Sequence, residues 1–156
     1  MRNTLLIAIA SLLIPAYANA QQTSSDGLAC FENLTAPEYP QAALRAQVDG
    51  SVYTTTKLSP AGTVDKVETQ VVSAWADGPK LLPAAAEKAI RAAKVKPECA
   101  GKTVSVVFRY QLFGEAVPNP KVTSRTEAPN IIYIEGQPES AKENRSASKA
   151  PATSQR

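Results

Sequence analysis

Ser51-Val52-Tyr53-Thr54-Thr55-Thr56-Lys57-Leu58, followed by Ser59-Pro60-Ala61-Gly62, decides the fold of this chain. Residue character alternates with period two. Val52, Thr54, Thr56 and Leu58 therefore share one face of a strand, and Ser51, Tyr53, Thr55 and Lys57 share the other. The threonines dilute the apolar face but suit strand geometry. Proline with glycine two residues later fits a type I or II turn, so a hairpin follows. Its second strand is Val64 to Val72, with Val67, Thr69 and Val71 alternating. Val64 is out of phase with Val67, which signals a bulge or a late strand start.

Upstream, Tyr39-Pro40-Gln41-Ala42-Ala43-Leu44-Arg45-Ala46 predicts a short helix entered through a proline and broken by Gly50. Downstream, Trp75-Ala76-Asp77-Gly78-Pro79 reads as a loop. Its tryptophan suits a residue capping the core beneath the loop better than a recognition aromatic. Pro83 to Ala93 is the main helix. Leu82, Ala86, Ala89, Ile90 and Ala93 form its apolar stripe, Glu87 and Arg91 pair on the wet face, and Pro97 marks its end.

Lys102 to Phe113 is the strongest strand. Val104, Val106, Phe108, Tyr110 and Leu112 face one way. Thr103, Ser105, Val107, Arg109 and Gln111 face the other. A right-handed crossover from the second strand over the first places this strand beside the first. The expected fold class is thus α+β, one small sheet with a helical face: all neighbouring strands are antiparallel and Lys102 to Phe113 becomes an edge.

The ends differ in composition. Residues 1–20 read as a signal peptide: Arg2, an apolar run from Leu5 to Ile14, and Ala18-Asn19-Ala20 before a cut at Gln21. The run is shorter than the roughly 20 apolar residues a bilayer span needs, and Pro15 interrupts it. The chain is therefore expected to cross the inner membrane into the periplasm. Residues 21–36 form an N-terminal segment, loose up to Ala29, with Cys30-Phe31 beginning the ordered part if the cysteines are bridged. The folded unit is 37–114. Residues 115–156 are rich in Pro, Ser, Lys, Glu and Asn and are expected to be a mostly disordered tail. One island, Asn130-Ile131-Ile132-Tyr133-Ile134-Glu135-Gly136, predicts a short strand at 131–134. Three readings stay open for it: a strand pairing with the domain's own edge, a strand offered to another copy or partner, or a chance apolar patch.

Cys30 and Cys99 are the two cysteines. They form one disulfide or stay two separate buried thiols, and an oxidising compartment favours the bridge. A bridge would close a loop of roughly 70 residues, worth about 4 kcal/mol in the chain-entropy model.

Several chemistries are excluded. Lys and Arg number 17 against 14 Asp and Glu, a net charge of +3. That is too weak for nucleic-acid binding, and no basic stripe interleaves with aromatics. There is no histidine, hence no His-dependent triad and no His metal ligand. Two cysteines do not make a Cys-only zinc site. No glycine-rich phosphate loop occurs. Asp49, Asp65, Glu68 and Asp77 are scattered over turns and wet faces. No enzyme activity, metal or cofactor is expected.

The Pro37 to Gly114 unit resembles the TonB carboxy-terminal domain over about half of the chain. Tyr39-Pro40 opens the first helix and Gly50-Ser51-Val52 starts the first strand. Ser59-Pro60-Ala61-Gly62 matches a Thr/Ser-Pro-x-Gly turn with Val64 and Val67 behind it. The Ala-rich helix reaches Pro97 through Lys94-Val95-Lys96, and Phe108 lies in the final strand. The resemblance implies a three-stranded antiparallel sheet with two helices packed against one face. It also implies binding of an extended peptide, the TonB box of outer-membrane transporters, added as a strand to the last sheet edge, here Thr103 to Gln111. Main-chain groups carry most of the affinity in that mode.

On this resemblance the partner-binding residues are Thr103, Ser105, Val107, Arg109 and Gln111. Arg109 either meets an acidic partner or sits on a solvated sheet face. The alternative function is a structural module that dimerises through the same edge. The sequence departs from the family in three ways. Between Ala20 and Pro37 there is neither a membrane anchor nor a Pro-rich spacer, so coupling to an inner-membrane motor is not expected. Ala93 and Val95 stand where aromatics are common, so the core there must be repacked. The cysteine pair is not a general family feature.

Overall fold

A computed structural model describes residues 23–24, 27–72 and 78–140. The signal-peptide reading of residues 1–20 and the core-cap reading of Trp75 lie outside them. Elements in chain order are β1 (Thr23–Ser24), a 3-10 turn at Gly27–Cys30, α1 (Gln41–Arg45), β2 (Gly50–Leu58), β3 (Val64–Val72), α2 (Gly78–Leu81), α3 (Pro83–Ala92), a second 3-10 turn at Pro97–Cys99, β4 (Thr103–Leu112), β5 (Val122–Glu127) and β6 (Ile131–Gly136).

The alternation in β2 is realised in full: Val52, Thr54, Thr56 and Leu58 are buried while Tyr53, Thr55 and Lys57 are exposed. Thr54 donates its hydroxyl to the Val106 carbonyl at 2.8 Å, which satisfies a polar atom inside the core. The irregularity at Val64 is a register shift: Lys57 pairs with Lys66, but Leu58 pairs with Val64. Pro40, extended at φ −61° and ψ 130°, launches α1, and its carbonyl accepts from the Ala43 and Leu44 amides. Leu82, Ala86 and Ile90 carry the buried stripe of α3 and the residue before it. They meet Val52, Leu58, Val104, Val106 and Phe108 of the sheet in one core.

Cys30-Phe31 is ordered, as the disulfide reading required, and burial reaches three residues further back, to Gly27. Gly27, Cys30 and Phe31 are buried. Phe31 pairs with Val95, Glu32 donates to the Lys94 carbonyl at 2.9 Å, and Lys96 donates to the Cys30 carbonyl at 2.9 Å. Phe31 thus supplies aromatic packing beside Val95, where the sequence lacks an aromatic of its own. Cys30 and Cys99 are disulfide-bonded, their Cα atoms 5.5 Å apart and 69 residues apart in sequence. On the chain-entropy argument this link stabilises the domain by about 4 kcal/mol.

The expectation of three antiparallel strands needs correction. The strand order is β3-β2-β4-β6-β5, with β1 paired to β4 off that path. The sheet is mixed, because β1–β4 and β4–β6 are parallel and the other ladders antiparallel. β4 is central, as expected beside β2, but it is not an edge. The tail expectation is also corrected for residues 115–140, which carry β5 and β6 and fold back on the domain. Ile132 and Ile134 are 2% and 1% exposed and belong to the core. Beyond β6, Glu139 donates its amide to the Leu44 carbonyl at 3.1 Å and holds Arg45 at 2.9 Å. The reason is physical: an uncovered apolar edge on β4 is a liability, and the Ile-rich island buries it.

Because β6 completes the core, Ile134→Ala should lower unfolding free energy by about 2–5 kcal/mol. Urea denaturation measures this. A loss below about 1 kcal/mol would show that β6 is an appendage rather than part of the core.

Candidate protein-binding edge

The five residues expected to bind a partner are brought together on one face. Thr103, Ser105, Val107, Arg109 and Gln111 form a half-buried row along β4 on the sheet surface opposite the helices. Their main chain is another matter. On one side, residues 103–110 pair with β2. On the other, Thr103 and Val104 pair with β1, and Val107 to Leu112 pair with β6. The Val107 amide donates to the Asn130 carbonyl at 2.8 Å. Gly27 closes the gap between β1 and β6. A Cβ built there would lie 1.9 Å from the Ser105 carbonyl oxygen, so only glycine permits this approach. The edge expected at Thr103–Gln111 is therefore occupied by the chain itself, from Thr103 to Leu112.

Arg109 lies against an aromatic side chain of β6. Its guanidinium lies 5.4 Å from the Tyr133 ring centroid. Arg125 covers the same ring at 3.6 Å and reaches Glu135 at 3.1 Å and Glu127 at 3.2 Å. The hydrogen bond to Glu135, opposed by desolvation and helped by Glu127, raises the Arg125 pKa above its ordinary value. This stack ties β5 to β6 and β6 to β4 across the outer face.

The open side of this half of the sheet is β5, all six of whose residues are exposed. Arg125 pairs with Tyr133 and Ser124 with Ile134. Gln137 donates its amide to the Lys121 carbonyl at 3.3 Å. In an antiparallel ladder such pairs alternate. Residues 121, 123, 125 and 127 therefore turn their main-chain groups toward β6, while Val122, Ser124 and Thr126 turn theirs outward. Beneath this strand the helical layer stops short. A groove of about 430 Å³ lies between β5 and the segment leading into α1, lined by Ala36, Pro37, Tyr39, Pro40, Val122 and Ile134 among others.

Tyr39 anchors the groove wall. Its hydroxyl donates to the Val48 carbonyl at 2.8 Å. Its ring stands edge-on to Tyr110, with centroids 5.2 Å apart at 79°. Burial pushes both phenols well above the ordinary value of 10.0, helped by Asp49 for Tyr39 and by the neighbouring Tyr39 for Tyr110. The Tyr110 hydroxyl has no hydrogen-bond partner among the described residues.

A family model described as the Gram-negative bacterial TonB protein C-terminal matches residues 35–112. The chain belongs to that family. The matched stretch is half of the 156 residues. TonB C-terminal domains are non-catalytic protein-interaction domains of the cell envelope and meet outer-membrane receptors. No curated protein and no solved structure matches the chain. Among the described residues, no helix is long and apolar enough to cross a membrane, and no group of three or more His, Cys, Asp or Glu side chains could hold a metal. The β5–β6 hairpin, which closes β4, lies beyond the matched stretch.

Sequence reasoning missed β5 as an edge because Val122-Thr123-Ser124-Arg125-Thr126-Glu127 has no apolar face. The available signal was its threonine content and its position before the Ala128–Pro129 turn and the Ile-rich island.

The tyrosine pair gives a pH dependence with a fixed sign. Below the ordinary tyrosine pKa, both phenols are neutral in the folded and unfolded chain, and their contribution to stability is complete. As pH rises past about 10, the unfolded chain ionises and the folded one does not, so stability falls. Tyr110→Phe should flatten this alkaline decline. At pH 7 it should cost less than about 1 kcal/mol, since the lost hydroxyl had no partner. Urea titrations at both pH values check this, and equal declines in the two proteins would contradict it.

Proposed function

We propose that this chain is a periplasmic protein-binding TonB-type domain that takes an extended segment of an envelope partner as an added strand on β5. The observation that carries this reading is the contrast between the two strands. β4 is hydrogen-bonded on both sides, whereas Val122, Ser124 and Thr126 present free main-chain groups beside a partly apolar groove. Alternate side chains of the incoming strand would enter the groove and the others would lie on the outer face. Family membership supports a partner such as a TonB-box segment of an outer-membrane receptor. The signal-peptide reading of residues 1–20 supports export, and the Cys30–Cys99 bridge suits an oxidising compartment.

A second reading is favoured by one observation. The strand that covers Val107 to Leu112 lies outside the family-matched stretch. A partner strand with alternating apolar residues would then replace β6 on β4, and Thr103, Ser105, Val107, Arg109 and Gln111 would regain the role the family resemblance gives them. β6 would act as a resident competitor.

One pair of measurements separates the readings. A TonB-box peptide should protect the Val122, Ser124 and Thr126 amides from hydrogen exchange. Locking β6 to β4 through Gln111→Cys and Glu135→Cys, directly paired positions, should leave the affinity within about threefold. Loss of binding on locking, restored by reductant, would favour strand exchange at β4. Absence of binding in both forms would remove the peptide-binding function.

A further inference from the structure

β5 is its own complement. We infer that a second copy of this chain pairs with it through the same strand, antiparallel, about a two-fold axis at Ser124. The inference rests on the reading of β5 as a strand-accepting edge and names a further occupant for it.

Three observations select this occupant. The outward main-chain groups belong to residues 122, 124 and 126, which are symmetric about 124. Antiparallel pairing there joins Val122 to the partner's Thr126, Ser124 to the partner's Ser124, and Thr126 to the partner's Val122, with about six main-chain hydrogen bonds. The same register sets Lys121 opposite the partner's Glu127, twice by symmetry, and Thr123 opposite the partner's Arg125. The neighbouring registers that keep the outward groups opposed are repulsive. One puts Arg125 against the partner's Arg125, and the other puts Lys121 against the partner's Arg125. Longer shifts run into the Ala128–Pro129 turn in one direction and into Pro118 and Pro120 in the other, and proline has no amide to donate.

The inner face has room for this. Both faces of β5 are exposed, Val122 is 42% exposed, and the groove stands open beside it. The incoming copy's Val122, Ser124 and Thr126 side chains continue the inner face over that groove. The opposite edge of the sheet is less suited, since β3 exposes Asp65, Lys66 and Glu68 in a row of mixed charge with a register shift at its start. A dimer through β5 would occupy the groups that a partner segment would use, so self-association and partner binding exclude each other.

A single strand pair makes a small interface. Sedimentation equilibrium of the purified protein at low salt, up to about 1 mM, should show a weak monomer–dimer equilibrium. Lys121→Glu should weaken it about tenfold, and adding Glu127→Lys should bring it back to within about threefold of the original. Ser124→Cys should give a reducible covalent dimer under mild oxidant, because directly paired Cα atoms lie about 5.5 Å apart. Thr123→Cys, whose equivalent is offset across the axis, should give far less. A monomer at every concentration would overturn the inference, as would a dimer indifferent to both charge changes. A TonB-box peptide titrated in parallel keeps the two readings apart. If it protects β5 in a protein that never dimerises, the inference fails and the proposed function stands. If it dissociates the dimer, both hold. If neither peptide nor second copy protects β5, both fail.

Discussion

The parallel ladder between β4 and β6 is the interaction on which the rest depends. It closes the side of β4 that an isolated three-stranded domain would leave open. It brings Ile132 and Ile134 into the core. It also carries β5 outward to become the new margin of the sheet. Two buried isoleucines are worth several kcal/mol against exposure, a large share of the stability of a small domain. β6 therefore belongs to the folded state in a way that a loosely tethered competitor would not.

Closure at β4 moves the recognition question one strand pair sideways. In a TonB domain limited to the matched stretch, the last strand would be an open edge. Here that strand is central, and its outer-face Arg109 joins a network with Tyr133, Arg125, Glu135 and Glu127. Its ion pairs are largely solvent-exposed, so their net contribution is modest. The network also joins β5 to β6 through side chains as well as the main-chain ladder, which aligns the outward amides of β5. Preordering lowers the entropic cost of adding a strand.

Much of this architecture was legible in the sequence. The period-two pattern of Val52–Leu58 and of Val104–Leu112, and the stripe through Leu82, Ala86 and Ile90, each place a residue on the correct side of the core. Chain-crossover handedness put β4 beside β2. What remained hidden was non-local. Ile131–Ile134 reads as a strand, yet nothing in its composition selects β4 as neighbour or a parallel direction. β5 lacks an apolar face because no helix covers it, so the strongest sequence signal of a strand is missing. The N-terminal contribution was hidden for a similar reason. Gly27 matters through the absence of a side chain, and Phe31 through a bridge to a residue more than sixty positions away.

The disulfide has a mechanical consequence. Tension applied ahead of Cys30 passes straight through the sulfur bridge to Cys99 and into the start of β4. The first helix, the β2–β3 hairpin and α3 lie within the covalent loop and are spared the load. A pull from that end therefore grips the middle of the sheet instead of unravelling it from its first turn.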